Sequence, residues 1–236
     1  MIFYVFTSDF KLIKEIDKFG VDGVLHTYNA YHPSPFITIP KELEQTNIKH
    51  MVAIRPYTIS PQLLSQISRT IDMSYERNVL QINLISGWIK ENEKNAGGVL
   101  GLVNDDSSKE DKLKYLVEYV DALENLEIKS LDYYVSVTNQ LTFNAAVKNN
   151  SKMIIDYKHF KENRYDIKGK HVMIMLSPNK DDGTLKTQEE LLNNVKTLDS
   201  NGIQEIIFPA GNQPEVDITL EFIKKYKNIS DQAMVE

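Results

Sequence analysis

The 236-residue sequence contains no cysteine, which excludes disulfides, thiolate metal sites and a cysteine nucleophile. No apolar run approaches the roughly 18 residues of a membrane span. The opening residues, Met1 to Asp9, show neither a basic stretch nor a cleavage site, so a soluble, cytoplasmic protein is expected. Neither H-E-x-x-H nor another spaced ligand set occurs, and spacing therefore predicts no metal site. Without a G-x-S-x-G, a serine nucleophile is not supported. Blocks of like charge are also lacking. The 33 acidic and 27 basic residues, a formal charge of -6, are dispersed along the chain, so neither nucleic acid nor an anionic membrane is expected as a partner.

What the sequence does have is core. Its hydrophobic share of 42% is enough to fill one α/β domain of this length, and a single domain over residues 1–236 is expected. Apolar strand-like runs alternate with helix-periodic segments, the pattern of βαβ units on a parallel sheet. Strands are predicted near Ile2–Thr7, Gly23–Thr27, Ile48–Arg55, Val79–Ile85, Tyr133–Val137, Met153–Asp156, Val172–Ser177 and Ile206–Pro209. Eight strands favour a closed (β/α)8 barrel over an open doubly wound sheet.

Between the strands, Leu12, Ile13, Ile16 and Phe19 recur at helical spacing, as do Leu64, Ile67 and Ile71, and Leu191, Leu192, Val195 and Leu198. Ser60 and Pro61 suit an N-cap and first turn, while Thr187 with Glu190 and Ser108 with Asp111 fit capping boxes. The glycine-bearing stretch Glu91–Lys109 reads as a loop above the fourth strand and a candidate lid. Ser230–Glu236 reads as a frayed tail.

In a barrel of this kind the chemistry sits just after each strand. The richest such segment is Gln81–Trp88, Q-I-N-L-I-S-G-W, where Gln81 and Asn83 alternate with Ile82 and Leu84. One face of that strand therefore carries amides, and Ser86 and Gly87 form a small polar turn at its end. His26 closes the second strand with a side chain suited to proton transfer near neutral pH, or to packing and capping. Thr138 and Asn139 end the fifth strand and open a helix, where they either cap it or help hold a phosphate. His50 and His171 begin strands and so belong to the opposite end.

The run Met51 through Gly87, with Arg55-Pro56, Ser60-Pro61, the Ile67/Thr70/Asp72 helix, Arg77 and N-L-I-S-G-W, resembles the bacterial-luciferase-like flavin monooxygenases, in their alkanesulfonate and pyrimidine monooxygenase branch. The resemblance implies a compact luciferase-like TIM barrel. It also implies an enzyme that takes reduced FMN from a separate reductase and uses O2 to oxygenate a small organic substrate, commonly as a homodimer. A deazaflavin in place of FMN, and a flavin-binding barrel that no longer oxygenates, are the other readings.

By this resemblance Asn83 lies near the flavin ring, and Tyr28 and Asn29 fall where relatives touch flavin. Thr138 and Asn139 fall on the two serines of a Gly-Ser-Ser-type phosphate turn, whose glycines are replaced by Ser136 and Val137. Lys112 and Leu113 stand where relatives carry an Arg-Tyr pair. Ile174 and Leu176 occupy the place of an Arg-x-His pair, and Tyr31 or His32 stands near an absent active-site cysteine. Any proton-transfer groups would thus differ from those of the branch.

Overall fold

The computed structural model describes residues 1–6, 12–13, 16–28, 34–75, 79–85, 109–126, 131–163 and 165–233. Eight parallel strands follow one another in chain order around a closed barrel: β1 Ile2–Phe6, β2 Gly23–Thr27, β3 Lys49–Ile54, β4 Leu80–Leu84, β5 Asp132–Val137, β6 Lys152–Asp156, β7 Val172–Met175 and β8 Glu205–Pro209. The alternation of apolar runs with helical periodicity is thus realised strand for strand. Helices among the described residues are α1 Pro35–Leu43, α2 Pro61–Tyr75, α3 Lys109–Asn125, α4 Gln140–Lys148, α5 Tyr157–Asn163, α6 Gln188–Ser200 and α7 Gln213–Ala233.

Residues cluster into two compact units, one of Met1–Leu25, Gln45–Lys49 and Ile155–Glu236, the other of His26–Glu44 and His50–Ile154. In the first unit β1 pairs with β2 and with β8, in register Phe3↔Ile206 and Val5↔Phe208. Phe3 is wholly buried and meets Phe222 and Tyr226 of α7 edge-on, with ring centroids 6.1 and 5.2 Å apart. Burial of one such ring stabilises by about 2–3 kcal/mol. Lys227 of the same helix pairs with Asp22 at 2.9 Å and holds the end of α7 against the start of β2. The helix runs through Ala233, where a frayed tail was expected from Ser230. Thr187 and Glu190 cap α6 reciprocally, as their spacing predicts.

In the second unit β3, β4 and β5 lie side by side, with Ala53 opposite Asn83 and Asn83 opposite Tyr134. Tyr133 hydrogen-bonds Glu124 of α3, so the odd positions of β5 face the helices. The even positions Asp132, Tyr134 and Ser136 face the barrel interior. Register then sends Met51, Ala53, Gln81 and Asn83 inward as well, and His50, Val52 and Ile54 outward. Ser60 caps α2, accepting from Leu63 N at 3.2 Å. The strand does not run directly into that helix. Pro56 has no N-H to extend the ladder, β3 stops at Ile54, and a 3-10 turn over Pro56–Thr58 intervenes. The expected lid, Glu91–Lys109, and the Ser108 capping box lie outside the described residues, apart from the first residue of α3.

Candidate functional site

The interior side of β4 carries two amides, Gln81 and Asn83, both almost wholly buried. Asn83 Oδ1 accepts from Ser136 Oγ at 2.9 Å. That bond fixes the rotamer of the amide, and the Nδ2 hydrogens are then what Asn83 offers to a partner. Two residues before Asn83 on β4, Gln81 Nε2 donates at 2.8 Å to Oδ2 of Asp132, four residues before Ser136 on β5, and Lys152 of β6 donates to Asp132 Oδ1 at 2.6 Å. Lys152 also stands 5.3 Å from the centre of the Tyr134 ring. The polar trio of Gln81, Asp132 and Lys152 therefore occupies the amino-terminal layer. The neutral Asn83–Ser136 pair lies nearer the carboxyl ends, where barrel chemistry is placed.

Tyr28 follows β2, and its N-H donates to Ala53 O at 3.0 Å, which puts it beside the Ala53–Asn83 level. Its ring lies 5.5 Å from that of Phe36 on α1. Thr138 and Asn139 form the turn into α4. Asn139 is the N-cap, accepting from Thr142 N at 2.9 Å, and the N-H groups of Thr138 and Asn139 both donate to Thr142 Oγ1. The cap thus engages the two backbone donors at the very place where a phosphate would need them. Asn29, Ser86 and Gly87 lie outside the described residues.

His26 sits apart from these groups. Its side chain is on the helix side of β2, buried against His50 of β3 and Glu42 of α1, not on the interior side with Asn83. His26 Nε2 and His50 Nδ1 are 3.0 Å apart, Glu42 Oε2 is 3.2 Å from His50 Nδ1 and 3.5 Å from His26 Nε2, and the two rings stack with centroids 5.3 Å apart. Burial lowers the His26 pKa to about 4, with the Glu42 charge opposing and His50 adding to the effect. Burial works against the Glu42 charge, but the His50 hydrogen bond and the neighbouring imidazoles more than offset it, and its pKa falls below the usual carboxylate range.

Sequence reasoning assigned His50 to the opposite end of the barrel and gave Glu42 no role. The pairing of β2 with β3 brings His50 to His26, and helix α1 brings Glu42, relationships no short spacing reveals. Ser136, read as a lost glycine, turns out to be the partner of Asn83. Its even-numbered phase with Asp132 and Tyr134 is the signal that could have found it.

A cavity of about 480 Å3 opens in the other unit after β6 and β7, between Tyr157, Lys158, Lys180 and Asn194. Two of its lysines form ion pairs, Lys158 with Asp181 at 3.8 Å and Lys180 with Glu190 at 2.9 Å. Of the predicted site residues that are described, His26, Tyr28, Asn83, Thr138 and Asn139, none lines it.

Several solved structures share the architecture. The fold is that of a (β/α)8 TIM barrel. The chain superimposes on the coenzyme F420-dependent tetrahydromethanopterin reductase of Methanopyrus kandleri with a TM-score of 0.62 and 8% identity, covering 94% of this chain and 96% of that one. Monomers of the dimeric phosphoribosylanthranilate isomerase of Thermotoga maritima match with a TM-score of 0.56 at 10% identity, over 96% and 99% of the two chains. EDTA monooxygenase from Chelativorans sp. BNC1 matches with a TM-score of 0.53 at 8% identity, over 87% and 67%. No family model matches the sequence, and no curated protein matches it. At such identities the likeness carries the fold, and the neighbours include an isomerase as well as oxidoreductases. Among the described residues, no helix is long and apolar enough to cross a membrane.

Proposed function

We propose that this chain is an oxidoreductase working with a flavin-type cofactor. In its finer form the proposal is a monooxygenase that receives reduced FMN from a separate reductase and oxygenates a small organic substrate with O2. The observation that carries the proposal is the part-buried bond from Ser136 to the almost wholly buried Asn83 at the interior of the barrel. It is a neutral, pre-oriented amide in apolar surroundings, which suits hydrogen bonding to the polar edge of a ring system. The N-L-I-S-G-W resemblance assigns Asn83 to that edge, and fold neighbours named as an F420-dependent tetrahydromethanopterin reductase and an EDTA monooxygenase add support.

The residues fit the ring better than the phosphate. Asn83 would bind and orient the ring edge, Ser136 would hold Asn83, and Tyr28 would bound the site on the β2 side. The flavin, when bound, supplies the electrons that activate oxygen. His26 is not placed to move a proton in the barrel interior, because Glu42 and His50 engage its ring on the helix side. A homodimer in the cytoplasm is part of the same proposal. Deazaflavin is the second reading, favoured by the likeness to the F420-dependent reductase over 94% of the chain.

Fluorescence titration with FMN and with F420, each oxidised and reduced, tests both readings. Saturable binding of reduced FMN followed by O2-dependent product from a substrate panel is the expected result. Binding without product would identify a flavin-binding barrel that does not oxygenate. Binding of F420 in place of FMN would select the second reading, and binding of neither would end the proposal.

A further inference from the structure

We propose that His26, Glu42 and His50 form a binding site for one divalent transition-metal ion with the ligand preferences of Zn2+, a clamp that ties α1 to β2 and β3 on the outside of the barrel. Each ligand comes from a different element, and all three candidate ligand atoms lie within 4.8 Å of one another.

The triangle they form has edges of 3.0, 3.2 and 3.5 Å. A tetrahedral ion that holds imidazole nitrogen and carboxylate oxygen at about 2.0–2.2 Å spaces its ligands about 3.3 Å apart. The observed edges bracket that value, so an ion could enter with ligand shifts of a few tenths of an ångström. The two facing ring nitrogens share at most one proton, while a cation on their common side would use the lone pairs of both and that of the carboxylate. Two imidazoles and one carboxylate suit Zn2+ and its first-row neighbours, in contrast to Mg2+ or Ca2+, which prefer all-oxygen sets.

Burial separates this cluster from the acidic groups that crowd any surface. His26, Glu42 and His50 are 7%, 2% and 0% exposed. The Thr38 hydroxyl, one helical turn before Glu42, makes a small contribution to holding its carboxyl in the charged form that a cation needs. Three protein ligands leave a fourth position for water. Because the cluster faces the helices and not the interior, the ion would stabilise the fold and take no part in the reaction proposed above.

The test uses the full chain, stripped with a chelator and dialysed against Zn2+, with metal content measured by elemental analysis. We expect one equivalent retained, a rise in the thermal midpoint on loading, and four-coordinate visible absorption when Co2+ replaces Zn2+. Glu42→Gln should lower Zn2+ affinity on the order of tenfold or more and abolish the thermal shift. His171→Gln removes the other described histidine–carboxylate pair, His171 with Glu205 at 2.8 Å, and should leave binding unchanged. That variant keeps the proposal testable if Glu42→Gln does not fold. No equivalent retained by the unaltered chain, the same affinity in Glu42→Gln, or loss of the ion in His171→Gln would each overturn the assignment.

Discussion

Ser136 Oγ donates to Asn83 Oδ1 at 2.9 Å, joining β5 to β4 inside the barrel with a bond between two uncharged side chains. If Asn83 holds the edge of a flavin ring, Asn83→Ala should weaken reduced-flavin binding by about tenfold, the worth of roughly 1.4 kcal/mol. Ser136→Ala should weaken it less, since it frees the amide to turn without removing it. Flavin fluorescence measures both, and an unchanged Kd in Asn83→Ala would remove Asn83 from the site.

The helix-side cluster makes stability depend on acid. The unfolded chain binds a proton on His26 near pH 6.5, whereas burial delays protonation in the folded chain until about pH 4. Stability is therefore full above 6.5 and declines as the pH falls toward 4. The loss should be on the order of 2 kcal/mol by about pH 5. Urea denaturation with a chelator present should show this decline, and His26→Gln should flatten it. An equal decline in the variant would assign the dependence to other groups.

Gly23 marks a place where two chain segments nearly touch. A Cβ there would lie 2.3 Å from Tyr4 Cε1 and 3.1 Å from the Lys49 carbonyl oxygen. Tyr4 is fully buried, so it has nowhere to retreat. Gly23→Ala should lower stability by about 1–3 kcal/mol. A denaturation midpoint equal to that of the unaltered chain would contradict the close packing.

Asn139 offers a test of the phosphate turn. Replacing it with alanine removes the N-cap of α4 and should cost about 1 kcal/mol of stability, largely restored by aspartate. If the turn also holds a phosphate, the substitution will weaken FMN more than riboflavin, which lacks one. Equal weakening of the two ligands would leave Asn139 as a cap alone.

The eight strands were legible because each carries a short, largely apolar stretch between turn-forming positions, as in the branched and aromatic run Ile2–Phe6. Caps at Ser60 and Thr187 were legible for the same local reason. Helix α1 was hidden, since a nine-residue segment with Pro35 at its start and Pro40 inside it reads as a loop. Without that helix, Glu42 had no place and the His26–Glu42–His50 cluster could not be seen. Asn83 was legible from alternation within one strand. Its bond to Ser136 spans 53 residues of sequence and depends on register, which no single segment encodes.

The bonds from Gln81 and Lys152 to Asp132 bear on how the barrel avoids misassembly. Strands β4 and β5 are short, and their alignment rests on which few side chains each turns inward. In the native offset Gln81 stands opposite Asp132. Shifting β4 by a single residue would turn its side chains to the opposite face and strip the Asp132 carboxylate of its amide partner, leaving Lys152 alone to compensate it. The three polar side chains thus work as a key that admits one alignment of the sheet and penalises the rest.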